Sequence, residues 1–403
     1  RTATGSAARD LWAVDLSIHR GQQPHHPARR VSEHLPMILA IASTVALLLI
    51  WGGYPLAIRL AAVLSSPGPS PARDPGSGVS VLLATNADAE SIRSRVANLL
   101  AGSYPAHLLE IVVSLDARSS AATLHDLNGL DARVHVVSGD SPGGKAASLN
   151  AAARAATGDV LVFADTAQRF DTDAIGELVR ALAAPGVGAV SGHLVLAEEG
   201  EGFSISALYW RYERWLRAWE GRVASTIGVT GAIYAMRREL WVPLPAGLIL
   251  DDVYVPMRLV LDGWRVGFTT AARAVETRRF KPTEEQARKT RTLTGIFQVC
   301  AWLPGVLSPL RNPVWSQFVF HKLLRFLTPY LALVFLVSGG WMLLRSPARV
   351  AVWLMLGAGL AAILLVPRAR RAARTQLAWG FALQVSVIAA TINGLRGRWD
   401  VWR

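Results

Sequence analysis

The apolar positions of this chain fall into two patterns. Between residues 79 and 261 they form short runs separated by helical stretches, and on either side they form long blocks with few charges. Val79–Ala84, Leu109–Leu115, Val134–Val137, Val160–Ala164 and Gly188–Leu196 are short enough to be buried strands. Between them, Ala89–Leu100 puts Ile92, Val96 and Leu99 on one side of a helix. Ala146–Ala156 is rich in alanine, the best helix former, and its small side chains allow close packing on a sheet. Gly158 follows as a stop signal, and Ala174–Ala184 reads as a further helix. Strands alternating with helices predict an α/β class with a doubly wound parallel sheet.

Ser204–Gly221 has helical spacing, with Leu208, Tyr212, Trp215, Leu216 and Trp219 on one face and Arg211, Arg214 and Arg217 elsewhere. Such a face fits either a helix packed on the sheet or one at a membrane surface or acceptor groove. Gly228–Tyr234 is a glycine-punctuated loop entering a strand. Leu250-Asp251-Asp252 opens a helix to Leu261 with carboxylates at its N-terminus, where the helix dipole favours them.

The flanking blocks have the length of membrane spans. Leu35–Ile58 contains no charged residue. At ~1.5 Å per residue it can cross a hydrocarbon core of about 30 Å, with Trp51 and Tyr54 suited to the interface. Before it lies a polar tail, residues 1–34, and after it a Pro/Gly/Ser linker, residues 65–78. A catalytic region is expected over 79–290. Residues 296–310, broken by Pro304 and Pro309, predict an interfacial segment, and residues 326–395 predict three spans: Phe326–Leu344, Val350–Val366 and Thr375–Leu395. The loop Pro367–Arg374 carries four arginines. The positive-inside rule makes it cytoplasmic, and counting back through two spans places the catalytic region there too.

Composition supports this division. The chain of 403 residues is 51% hydrophobic and only 18% charged, with a net charge of +13. Much of the arginine lies beside apolar runs, which fits anionic lipid headgroups. No basic recognition element for nucleic acid is present. Few ionisable residues fall inside the spans, which argues against a transporter. Cys300 is the only cysteine, so neither an intramolecular disulfide nor a cysteine zinc site can form.

The candidate chemistry centres on Gly143–Asp171, GGKAASLNAAARAATGDVLVFADTAQRFD. Asp165 ends one strand and Asp116 another. Open α/β sheets bind ligands at the carboxyl ends of their strands. Each aspartate alone reads more readily as a turn or helix cap. Two on one edge, with Lys145 between them, point to a nucleotide diphosphate site. The Gly-Gly-Lys is not a Walker loop, whose spacing is absent. Asp251-Asp252 is either a helix cap or the place of a general base. Arg288 and Arg291 suit either lipid or a diphosphate.

Together these stretches resemble the membrane-bound family 2 glycosyltransferases, which have an A-type nucleotide-sugar fold. The resemblance covers roughly Val79–Tyr330. GKAASLNAAARAATGDVLVFAD is similar to the family's GKAxALNxxxxxxxGEIxVFxD. ALYWRYERWLR, GVTGAIYAMRRELW, LDDVYVPMRLVLDGWRV and RKTRTLTGIFQ resemble the cellulose-synthase-like subgroup. The resemblance implies that Asp116 contacts the nucleoside and that Asp165 is the first carboxylate of a metal motif for Mg²⁺ or Mn²⁺. It further implies that Lys145, Arg288 and Arg291 face the donor diphosphate and that Asp252 is the catalytic base.

The expected activity is inverting hexosyl transfer from a nucleotide sugar, a UDP-sugar first, to a glycan or lipid acceptor at the cytoplasmic face of the inner membrane, in polysaccharide biosynthesis. The sequence departs from the pattern at Thr85-Asn86-Ala87-Asp88, at Asp116-Ala117-Arg118, and at Ala167, which cannot ligate. These departures keep a second reading open, a catalytically impaired nucleotide-sugar-binding or scaffold subunit of a glycan assembly complex.

Overall fold

The protein is described from a computed structural model covering residues 27–65, 76–118, 121–196, 205–276 and 282–400. Most of the expected polar tail and most of the linker lie outside these residues. From residue 27 the chain is already helical. Helix α1 (Pro27–Leu48) passes through a five-residue π turn, Leu49–Gly53, into α2 (Tyr54–Leu64).

Strand β1 (Val79–Thr85) follows, then α3 (Ala89–Leu100), β2 (Leu109–Leu115), β3 (Val134–Ser138), α4 (Lys145–Ala155) and β4 (Val160–Ala164). The chain continues through β5 (Gln168–Phe170), α5 (Ala174–Leu182), β6 (Val187–Leu196), α6 (Ile205–Val223), β7 (Ile233–Arg237), α7 (Asp251–Leu261) and β8 (Arg265–Glu276). It ends in α8 (Pro282–Trp302), α9 (Trp315–Phe318), α10 (Thr328–Arg345), α11 (Arg349–Leu365) and α12 (Pro367–Leu395).

The strands form one eight-stranded sheet in the order β3-β2-β1-β4-β7-β6-β8-β5. β3, β2, β1 and β4 are parallel, the Rossmann-like half that the alternating pattern predicts. The sheet as a whole is mixed, because β7 runs antiparallel to both β4 and β6. Strand direction leaves no mark on hydrophobic periodicity, so β6 and the entry to β7 were legible as strands but the antiparallel run of β7 was not. β8 was missed for a related reason. Its pairing with β6 shifts register twice, which breaks the alternation by which a strand is recognised.

The sheet is packed on both faces. In β1, Leu82 points into one core with Leu149 and Ala152 of α4 and Val253 and Met257 of α7. Val81 and Leu83 point into the other, with Ile92, Val96 and Leu99 of α3 and Leu178 of α5. The alanines of α4 perform the expected task, since Ala146, Ala147, Ala151, Ala152 and Ala153 are all buried. Asp88 caps α3 by accepting from Ser91 N at 2.8 Å.

Three helical segments are long and apolar enough to cross a membrane: His34–Leu64, Trp315–Arg345 and Ala373–Leu395. α11 is shorter and equally apolar. α1 packs on α10, and α12 packs on α8. Two segments differ from expectation. Residues 296–302 complete α8, which Pro304 then stops in a short 3₁₀ turn. Residues 367–374 form the first turns of α12 rather than a loop. Pro367 starts that helix, where proline is tolerated, and alanine and arginine continue it.

A buried polar cluster ties the spans to the sheet domain. Tyr54 of α2 donates to Glu220 Oε1 of α6 at 2.5 Å. His321, in a second π turn at Val319–Leu323, lies between Glu220 Oε1 at 2.8 Å and Glu213 Oε2 at 2.9 Å. Arg325 pairs with Glu213, and its guanidinium lies 4.6 Å from the Trp51 ring centroid. Burial pushes the Glu213 carboxyl up, but His321 and Arg325 outweigh it and hold the group well below the usual carboxylate range.

Candidate functional site

Asp116 and Asp165 follow the carboxyl ends of β2 and β4, on either side of β1. Two strand spacings put them about 10 Å apart. Between these ends and α4, Gly143 and Gly144 adopt φ of +85° and +92°. Asp116 closes this turn, its Oδ1 accepting from Gly144 N at 2.7 Å and from Arg118 N at 2.9 Å. A Cβ on Gly143 would lie 2.6 Å from that same oxygen and 2.5 Å from Arg118 Cβ. Gly143→Ala should therefore strain the turn that positions Lys145, costing about 1–3 kcal/mol. A fall in the thermal inactivation midpoint, with weaker nucleotide binding, checks it.

Lys145 is the first residue of α4, and its ammonium reaches across the strand ends. Nζ lies 3.3 Å from Asp165 Oδ1 and 3.5 Å from Asp251 Oδ2. Burial disfavours the ammonium, but Asp165, Asp251 and Asp252 together raise its pKa above the ordinary lysine value. Asp165 is held from behind by a residue that the sequence reading missed. Buried Arg95 donates Nε–H to the Asp165 carbonyl at 3.0 Å and lies 4.3 Å from the Phe170 ring centroid. Burial pushes Arg95 down to about 9.

The two carboxylates of α7 enter from the other side. The Gly228–Ala232 loop is fixed to them by Val229 N–H donating to Asp252 O at 2.8 Å. Gly231 leaves room there, since a Cβ on it would lie 3.4 Å from Asp252 Cβ and 3.5 Å from Lys145 Nζ. Asp251 is buried, and Asp252 Oδ1 is buried without a hydrogen-bond partner among the described residues. Burial and the neighbouring Asp251 push Asp252 up to about 6, against the pull of Lys145, Arg217 and Lys322. Beneath them Tyr234 of β7 stacks on Phe163 of β4 with ring centroids 4.1 Å apart. Its burial and the three carboxylates above it raise its pKa well above the ordinary phenol value.

These groups border a cleft of about 400 Å³ lined by Lys145, Asp165, Asp251, Asp252, Arg288 and Arg291, with α6 supplying Tyr209, Trp210 and Arg217. Five of the six expected site residues thus converge. Asp116 does not line this cleft and acts within the glycine turn at its edge. Gln168 and Glu276, paired across β5 and β8, complete the wall. Their pairing was not legible, because neither β5 nor β8 was read as a strand.

Ala167 offers no ligand, and no group of three His, Cys, Asp or Glu able to hold a metal occurs among the described residues. Asp165 is the one carboxylate at the strand end, 37% exposed and in contact with Lys145. This donor set fits a hard divalent cation that brings most of its ligands with it, phosphate oxygens and water, as Mg²⁺ commonly does.

Comparison with known proteins agrees with the fold. A mannosyltransferase from Pyrobaculum calidifontis, solved in complex with GDP-Man and Mn²⁺, is 22% identical, superposes with a TM-score of 0.65, and is matched over 90% of this chain and 99% of its own. A mycobacterial protein is 18% identical, with a TM-score of 0.40 over 61% of this chain and 77% of its own. TarS of S. aureus is 15% identical, with a TM-score of 0.36 over 54% of this chain and 39% of its own. No curated protein matches the chain in sequence. Residues 75–296, more than half of the chain, match the glycosyltransferase-like family 2, and the chain belongs to that family.

Proposed function

We propose that this glycosyltransferase moves a sugar from a nucleotide diphosphate donor to an acceptor hydroxyl with inversion, at the cytoplasmic face of a membrane. The observation that carries the reading is the Asp252 carboxylate, raised to about 6 and facing a cleft whose cations suit a diphosphate. A general base works best with a pKa near the operating pH. Asp252 takes the proton of the acceptor hydroxyl. That oxygen forms a bond to the anomeric carbon while the bond to the diphosphate oxygen breaks on the opposite face. The electron pair leaves with the diphosphate, and Lys145, Arg288 and Arg291 meet the charge that grows there.

A divalent cation, held by Asp165 and the donor's phosphates, would supply further positive charge to the leaving group. Both UDP- and GDP-sugars suit the cations of the cleft, so the donor panel must hold both. The four arginines of residues 367–374 support the cytoplasmic orientation.

Purified full-length protein in lipid nanodiscs, given a panel of radiolabelled nucleotide sugars with and without Mn²⁺, tests the reading. Metal-stimulated release of the nucleotide from one donor, lost in Asp165→Ala, is the expected result. Nucleotide binding without turnover of any donor would favour the impaired subunit instead.

A further inference from the structure

A second cavity, of about 180 Å³, meets the cleft at Asp252 and extends toward the apolar helices α10 and α12. The two share Tyr209, Arg217, Asp252, Thr292, Leu293, Lys322 and Leu383. Away from Asp252 one part of the wall of the second cavity is apolar, beside His321, Arg325, Thr328 and Gln384. The apolar part comes from the elements that join the sheet domain to the spans: Ile296 of α8, Phe326 just before α10, and Leu383 and Val387 of α12. A soluble glycan would gain little from such walls, whereas a hydrocarbon tail gains from burial there.

The charges of this chamber are unbalanced. Arg217, Lys322 and Arg325 line it against the single carboxylate of Asp252. Arg325 is neutralised by Glu213. Of the carboxylates near Lys322, Glu213 pairs with Arg325 and His321, and Glu220 Oε1 accepts from Tyr54 and meets His321, while Glu220 Oε2 has no hydrogen-bond partner among the described residues. Among the described residues no hydrogen bond or close ion pair occupies Lys322. Arg217 spends one nitrogen on Thr230 Oγ1 at 3.1 Å and faces the cavity with the rest of its fork. Two half-buried cations beside an apolar pocket suit an anion on an apolar body, which gains charge-assisted hydrogen bonds from them.

We propose that the acceptor is a membrane lipid whose head carries a phosphate beside the hydroxyl to be glycosylated. The phosphate lies on Lys322 and Arg217, the hydroxyl on Asp252, and the tail among the spans. The inference rests on the transferase reading above. In the reaction the lipid hydroxyl gives its proton to Asp252 and its oxygen to the anomeric carbon, and the nucleotide diphosphate leaves with the electron pair.

The test uses the full chain in phosphatidylcholine nanodiscs with a donor that it turns over. The acceptors are phosphatidylglycerol and 1,2-diacylglycerol, matched in tail and each bearing a free primary hydroxyl, and a soluble oligosaccharide. kcat/KM for phosphatidylglycerol should exceed that for diacylglycerol at least about ten-fold, the worth of one charge-assisted hydrogen bond. The preference should collapse in Lys322→Met and persist in Lys322→Arg. Equal use of diacylglycerol, preference for the oligosaccharide, or a preference unchanged in Lys322→Met would overturn the proposal and leave the transferase reading standing. Farnesyl phosphate preferred over phosphatidylglycerol would overturn it as well, by making the phosphate itself the nucleophile. Failure to turn over any donor would defeat both.

Discussion

Asp252→Asn is expected to lower turnover by about 10²–10⁴-fold, the usual worth of general-base help, while donor binding stays within a few-fold. The amide keeps the size of the carboxylate and loses its ability to take a proton. Asp251→Asn should be milder in turnover, because Asp251 is buried against Lys145 at 3.5 Å and acts on the site through its charge. Steady-state kinetics with nucleotide titration on both variants decide between them. A silent Asp252→Asn beside a dead Asp251→Asn would assign the base to the other residue.

The same carboxylate sets a pH profile. Its folded pKa is about 6, above its ordinary value of 3.8. The base form accumulates as pH rises through about 6, so kcat/KM should climb on the acid side and level off above pH 7. Stability moves the other way. A carboxyl with a raised folded pKa favours the folded state only while protonated. Its penalty is absent below the unfolded pKa, grows between about 4 and 6, and is complete above 6. Asp252→Asn removes that penalty and should stabilise the protein at pH 8 by up to roughly 3 kcal/mol. At pH 4 the gain should vanish. Inactivation rates of the two proteins at both pH values check it, and an equal effect at the two would contradict the assigned cause.

How much of this was legible in the sequence depends on the range over which each feature is encoded. The parallel half of the sheet was legible because β1, β2, β3 and β4 are short apolar runs, a local signal. Lys145, Asp165 and Asp252 were legible from motif resemblance, and the fold brings them together at one cleft. Arg95 was not, because its meaning lies in a contact with Asp165 O, 70 residues away in sequence. Glu213 and Glu220 lie on α6, whose helical spacing marks an apolar face and nothing more. Their partners His321, Arg325 and Tyr54 come from opposite ends of the chain. Helical periodicity marks the face of α6 but not what covers it. Lys322 was hidden for the same reason, inside a stretch that reads as the approach to a span.

Glu213→Ala should be the most damaging change away from the reacting atoms. It removes the one carboxylate that satisfies both His321 Nε2 and Arg325, whose side chain is only 11% exposed. Breaking a buried pair by deleting one partner leaves the other charge without compensation, at a cost of about 3–5 kcal/mol. Because α6 also lines the cleft with Tyr209, Trp210 and Arg217, loosening it should raise the KM for acceptor together with the loss of stability.

The cause is open to a sharper test than the single variant. If the damage comes from the orphaned guanidinium, Glu213→Met combined with Arg325→Met should recover much of the stability that either change loses alone, since apolar replacement of a buried pair is often neutral. Thermal inactivation of the four proteins in detergent, closed as a double-mutant cycle, gives the coupling. A coupling of about 2 kcal/mol or more is expected. Additive losses would show that Glu213 acts through His321 and Glu220 instead, so that the clamp between α6 and the spans runs through the histidine.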